Sequence, residues 1–196
     1  VSHPLLSILI PAAGASKRLG RVKQLVSYKT GPLIQNAVST AHSIRPQEII
    51  VVTGSNAIAV KEAVQQTPVR WVHNPHWSTG MGGSIALGTT AISPESKGLM
   101  IFLCDQWRIQ TQDLNKLADI WQSDPERIVC AEAKGVLMPP VIFPLSCFKQ
   151  LRELEGAQGA RSLFETHPEL LRPVALENAG FDLDTESQLA QLENSD

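Results

Sequence analysis

The stretch Leu5–Leu25, LLSILIPAAGASKRLGRVKQL, joins an apolar run directly to a glycine-containing loop. Six mostly aliphatic residues closed by Pro11 read as a buried strand. The loop offers Gly14 and Gly20, which allow backbone geometries that other residues resist, and the cations Lys17, Arg18, Arg21 and Lys23, with Lys29 just beyond. No acid interrupts it, although the whole chain has a formal net charge of -2. On the residues alone, the segment is either a cradle of backbone N–H groups and cations for a polyphosphate, or a solvated turn. It is not a P-loop, because Gly14 and Gly20 are one residue too far apart and no Lys-Ser or Lys-Thr follows. Nor is it the dinucleotide pattern G-x-G-x-x-G.

Outward from this stretch, strand and helix patterns alternate. PLIQNAVSTAHSI reads as a helix with Pro32 at its start, EIIVVTG (Glu48–Gly54) as a β-branched strand, NAIAVKEAVQQ as a helix and VRWVHNP as a strand. GGSIALGTTAI is a third helix. GLMIFLCD (Gly98–Asp105) is a continuous apolar run closed by an acid, the look of a parallel strand buried on both faces. TQDLNKLADIWQ follows as a helix with Thr111 as N-cap, then the strands RIVCAEA and PPVIFP, the short helices CFKQLREL and GARSLFET, and the strand LLRPVAL. This order predicts an α/β fold with a mostly parallel sheet, in one domain over residues 1–196. Ligands of such sheets bind beyond the carboxyl ends of the strands.

The near-neutral charge and the pI of 6.2 speak against a nucleic-acid-coating surface. Cys104, Cys130 and Cys147 are too widely spaced for a zinc or redox pair, so buried free thiols are expected. No apolar run reaches the roughly 18 residues of a membrane span. VSHPLLSILI has neither a basic leader nor a small-residue cleavage site, and the expectation is a cytoplasmic protein.

Other features fall at predicted strand ends. Asp105 suits either a Mg²⁺ site completed by substrate phosphates or a loop-tightening role. In FDLDTESQL, Asp182 and Asp184 alternate with apolar residues, and Thr185 with Gln188 fits a capping box before a short helix. In STGMGGSIALG the glycines expose backbone donors at a helix start, or else Ser84 is a simple N-cap. His73 and His76 lack an evident third ligand. No Gly-x-Ser-x-Gly elbow or His-Glu zinc pair supports a hydrolase.

Together these pieces resemble a family. PAAGASKRLGRVKQL is similar to the nucleotidyltransferase signature A-A-G-x-S-x-R-M-G-x-x-K-x-L, with Leu19 in place of Met. GMGGSIALG, Asp105-Gln106, PPVIFP, GARSLF and DLDT follow in the order of the molybdenum cofactor nucleotidyltransferases, called MobA-like or MocA-like. The resemblance implies a Rossmann-like three-layer fold and transfer of a nucleoside monophosphate to the terminal phosphate of a molybdopterin-type acceptor. PAAG and GGSIALG look like the cytidylyl side of the family, so CTP is expected over GTP. It further implies catalytic Lys23, Arg18 and Asp105, and Mg²⁺ held by Asp105 and Asp184, with Asp182 a rival for the second place. The nucleotide would lie along Ala12, Ala13, Gly14, Ala15, Ser16, Arg18, Gly20 and Lys23, with Gly80, Gly82, Gly83 and Ser84 reading the base. Trp107, Pro139, Pro140 and Arg161 would face the acceptor, and a molybdoenzyme or its chaperone would receive the product. Lys17 and Arg21 are left as surface charges. Trp107 stands where family members usually have Pro, and Ala157 where many have Asp. Another phosphate acceptor such as a sugar phosphate, or a carrier that binds nucleotide without turnover, are the competing readings.

Overall fold

The computed structural model describes residues 2–64 and 67–193. Its first strand, β1 (His3–Ala12), is buried without a break from Leu6 to Ile10. β2 (Ser27–Tyr28) and β3 (Gly31–Pro32) form a small hairpin. There follow α1 (Leu33–Ser43), β4 (Pro46–Thr53), α2 (Ala57–Ala63), β5 (Arg70–His73), α3 (Met81–Ala91), β6 (Gly98–Ile101) and α4 (Thr111–Ser123). Then come β7 (Ile128–Ala133), β8 (Val136–Pro144), α5 (Phe148–Arg152), α6 (Ser162–Thr166), β9 (Leu171–Ala175) and α7 (Glu186–Glu193).

Seven strands form one sheet in the order β5-β4-β1-β6-β8-β7-β9. All neighbours are parallel except the two pairs that involve β8, which alone runs the opposite way. Alternate residues of β1 build two cores. Leu6, Ile8 and Ile10 pack with Val38 of α1 and Leu117 and Trp121 of α4. Leu9 packs with Ile85 of α3, Leu151 of α5 and Phe164 of α6. A helix layer on each face of a mostly parallel sheet is the expected three-layer fold. Each aliphatic side chain taken fully from water contributes about 1.5–3 kcal/mol. α3 meets β1 closely at Gly88, where a Cβ would come within 2.3 Å of Leu9 Cδ1. A third, smaller core joins Leu19, Tyr28, Leu33, Trp107, Leu183, Leu189 and Leu192.

Local details depart from the sequence reading. The strand expected to reach Asp105 leaves the ladder after Ile101, and Gln106 N–H donates to Leu103 O (3.2 Å) in a turn. Residues 102 and 104–106 stay buried through that turn, so burial outlasts pairing. The N-cap of α4 is Gln110, not Thr111: its N–H donates to Asp113 Oδ2 (2.9 Å) and its side chain accepts from the Asp113 backbone, closing a capping box. α2 ends at Ala63, and the Gln65-Gln66 end of that expected helix lies outside the described residues, as do the last three residues of the tail. All three cysteines are free and buried, as expected. Among the described residues no helix is long and apolar enough to cross a membrane.

Candidate active site

β1, β4 and β6 end at the same edge of the sheet, and the chain beyond β1 folds back over that edge. Ser16 (φ 53°) and Gly20 (φ 70°) take the left-handed turns this requires. The Ser16 hydroxyl accepts from Lys23 N–H (3.2 Å) and donates to Gln24 Oε1 (3.4 Å). Gln24, itself buried, returns its amide to Gly14 O (3.0 Å). Leu19 anchors the far side of the loop in the third core. Gln24 carries no charge and escaped the sequence reading, yet it ties both limbs of the loop together.

Two carboxylates and two cations converge beneath this loop. Lys23 Nζ donates to Asp105 Oδ2 and to Asp184 Oδ1 (3.0 Å). Arg18 holds Asp184 Oδ2 at 2.8 Å while remaining largely exposed. The segment carrying Asp184 is brought in by Leu183 N–H, which donates to Asp105 O (3.1 Å). Thr185 and Gln188 form the expected capping box behind it, and Gln188 Nε2 donates to Asp182 (3.2 Å). Asp184, and not Asp182, therefore faces the site.

Burial pushes the Lys23 pKa down, but the charge and hydrogen bond of Asp105 and the charge of Asp184 outweigh it, and the ammonium is held well above its usual range. Burial pushes the Asp105 carboxyl up, and Lys23 offsets this only in part. The Cys104 thiol beside it is pushed up to about 12, chiefly by burial, so it is neutral near pH 7 and is not an activated nucleophile.

These groups border a cleft of about 400 Å³. Of the residues singled out in the sequence, Ala13, Gly14, Ala15, Ser16, Arg18, Lys23, Gly80, Ser84, Asp105 and Asp184 line it. Lys17, read as a surface charge, lines it too. Arg21 is exposed and 3.9 Å from Glu186. Ala12 is buried under the loop, and Gly20 only turns the chain. Gly82 is a packing glycine: its N–H donates to Gly156 O (2.9 Å), and a Cβ would lie 2.6 Å from Glu155 O. Its donor is therefore not available to a base. Gly83 lies beside Asn74 and Thr79, off the lining. Ser84 sits within α3 and not at its cap, held by Asn74 Nδ2 (3.0 Å).

The expected acceptor face is not part of the cleft. Trp107 is buried in the third core, its ring edge-on to Tyr28 (5.0 Å) and Phe181 (6.0 Å). Enclosed on those sides, the indole is not a platform for a ligand. Pro139 accepts from Gln106 Nε2 (2.6 Å) and, with Pro140, stands outside the lining. Arg161 is exposed at the start of α6, away from the lining. The cleft wall contains instead Trp77, Met81, Leu103 and Cys104, which the sequence reading missed. Their signal was position alone, since each follows a strand end or opens a helix.

A divalent cation fits the carboxylate pair. Asp105 Oδ1 is buried with no hydrogen-bond partner, an acceptor left over inside a charged cluster. Among the described residues no group of three or more His, Cys, Asp or Glu converges, which excludes His73 and His76 from such a cluster. Two carboxylates with the remaining positions left for phosphate and water match the habit of Mg²⁺ better than that of a protein-only cage.

Comparison with known proteins bears on the family and the fold. The family model described as MobA-like NTP transferase domain matches residues 8–171. The nicotine blue oxidoreductase of Paenarthrobacter nicotinovorans is 30% identical, over 96% of this chain and 97% of that protein. A nucleotidyl transferase from Methanothermobacter thermautotroptrophicus shares the fold with TM-score 0.83 and 19% identity, covering 97% of each chain. Rv0371C of Mycobacterium tuberculosis H37Rv, in a complex with manganese, superposes with TM-score 0.82 and 21% identity over 97% of this chain and 99% of that one.

Proposed function

We propose, from the premise that the chain belongs to the MobA-like NTP transferase family, that it transfers CMP from CTP to the terminal phosphate of a molybdopterin-type acceptor. An acceptor phosphate oxygen attacks the α-phosphorus of CTP. The bond from that phosphorus to the bridging oxygen of the β-phosphate breaks, and pyrophosphate leaves. The nucleophile is already an anionic oxygen, so little proton transfer is needed. The work left to the protein is alignment and neutralisation of charge.

The observation that carries this reading is Lys23 placed between Asp105 and Asp184 in the cleft, with Arg18 on the outer carboxylate. Arg18 and Lys23 hold the triphosphate and neutralise charge that builds toward pyrophosphate. Asp105 and Asp184 would hold Mg²⁺, which when bound supplies further positive charge to the phosphates. The manganese complex of the mycobacterial protein supports a divalent cation on this fold. The Ala13–Ser16 backbone borders the nucleoside, with Gly80 and Ser84 also on the cleft lining. CTP is favoured because PAAG and GGSIALG resemble the cytidylyl side of the family. The name of the oxidoreductase relative describes that protein. Here the cation–carboxylate cluster favours phosphate chemistry.

The test is pyrophosphate release from the protein with Mg²⁺, each nucleoside triphosphate in turn, and a molybdopterin source. Release with CTP that requires the pterin is the expected result. Release with GTP alone corrects the nucleotide, and release only with a sugar phosphate corrects the acceptor. Nucleotide binding without release in any combination overturns the transferase assignment.

A further inference from the structure

The cleft lining combines two chemically different sets of side chains: Arg18, Lys23, Asp105 and Asp184 are charged, whereas Trp77, Met81 and Leu103 are apolar. We infer that Trp77 is a further nucleotide-binding residue, a stacking platform for the planar base of the nucleoside triphosphate. This rests on the nucleotide reading above.

Trp77 opens a single helical turn, Trp77–Thr79, after β5. It is seated on Gly54, at the end of β4. A Cβ at Gly54 would fall 2.5 Å from Trp77 Cβ and 2.7 Å from Ala13 O. Three strand ends thus meet at one glycine, and the absence of a side chain lets the tryptophan lie against the backbone. Its base is fixed, while the residue stays half-buried on the cleft wall.

The other tryptophans are occupied. Trp107 and Trp121 are buried, and Trp71 has the Lys61 ammonium 5.9 Å from its ring centroid. Trp77 packs partly against the core that holds Leu9, Ala13 and Ile85, but among the described residues its ring makes no aromatic or cation–π contact and its indole N–H has no acceptor. Beside it, Met81 is 45% exposed at the cleft mouth. An anchored indole and an exposed thioether facing water in a charged cleft form a surface suited to being covered by a flat ring.

Ala13, at the seat of Trp77, and Arg18 belong to one loop that lines the cleft. On this inference, a nucleotide whose phosphates meet Arg18 and Lys23 would lay its ribose along Gly14 and Ala15 and its base on the indole. Stacking on tryptophan is tolerant of base identity. Trp77 therefore supplies affinity for any base, and discrimination falls to groups at the ring's edge.

The test compares three ligands on the whole protein by calorimetry, without acceptor: CTP, inorganic tripolyphosphate and a free pterin. Wild type should bind CTP more tightly than tripolyphosphate. Trp77→Ala should weaken CTP roughly tenfold and leave tripolyphosphate unchanged, and Trp77→Phe should restore most of the loss. Equal loss for CTP and tripolyphosphate would mean that Trp77 only supports the loop, which overturns the inference. So would loss of pterin binding with CTP unaffected. Equal affinity of wild type for CTP and tripolyphosphate would also overturn it, while leaving the nucleotide reading standing. If wild type bound neither, both would fall together.

Discussion

Asp105 and Trp107 are two residues apart and end in opposite environments. The Asp105 carboxylate enters the cleft and meets Lys23, whereas the Trp107 indole turns away into the core that holds Tyr28, Phe181 and Leu183. Asp105 lies within the turn that Gln106 N–H closes onto Leu103 O, and Trp107 follows that turn. One side of this short segment is therefore open to ligand chemistry, and the other clamps the strip that delivers Asp184. Trp107, expected to face the acceptor, packs into that core instead.

The largest effect that tests this contrast is expected at Asp105. Asp105→Asn should cut pyrophosphate release on the order of a thousandfold, as expected when several kcal/mol of charge stabilisation is lost, with the circular dichroism of the fold retained. Retained turnover would break the contrast at its cleft side. Trp107→Ala should instead cost about 3 kcal/mol or more in urea denaturation. In the milder Trp107→Phe variant the KM for acceptor should not move. A raised acceptor KM with unchanged stability would return Trp107 to the substrate.

Smaller effects sharpen the cleft side. Lys23 Nζ occupies both carboxylates that would hold a metal. Lys23→Met should therefore tighten Mn²⁺ binding to the nucleotide-free protein by roughly tenfold, read by electron paramagnetic resonance. Weaker binding would show that the ammonium does not compete. In the metal-free protein, the raised carboxyl of Asp105 means that the native state keeps its proton longer than the unfolded chain does. Stability should then fall as pH rises from the ordinary aspartate value toward the higher native one. The slope is at most about 1.4 kcal/mol per pH unit. The difference between wild type and Asp105→Asn, followed by urea denaturation across that window, isolates it, and a flat difference would refute the shift. Least of all should happen at Arg161. Its exposed side chain lies off the cleft lining, and Arg161→Ala should change pyrophosphate release less than twofold.

Much of the fold was legible because most sheet strands carry their own apolar run and α1 and α4 show a clear helical period. Pairing was less legible. β7 and β8 are joined by Lys134 (φ 50°) and Gly135 (φ 74°), a two-residue hairpin turn that makes β8 the antiparallel strand. The small β2–β3 hairpin was missed in the same way, with Lys29 (φ 53°) at its turn and 5.1 Å over the Tyr28 ring. Left-handed lysines give little local warning. In the site, Arg18, Lys23, Asp105 and Asp184 were readable because charge near a strand end or in a charged motif is conspicuous. Gly82 was misread because a glycine that admits a neighbouring loop looks the same in sequence as one that admits a ligand. Trp77 and Gln24 were missed because an indole and an amide announce no particular chemistry until their neighbours are known.

Gln24 has a consequence that reaches beyond its hydrogen bonds. Its amide fastens Gly14, and its carbonyl meets the Ser16 hydroxyl that also receives Lys23 N–H. The loop is held in shape before any ligand arrives. Immobilising a loop of this kind during binding would consume conformational freedom and weaken association. Here that loss is taken during folding instead, so an arriving triphosphate meets an assembled receptor and its contacts can count fully toward residence in the cleft.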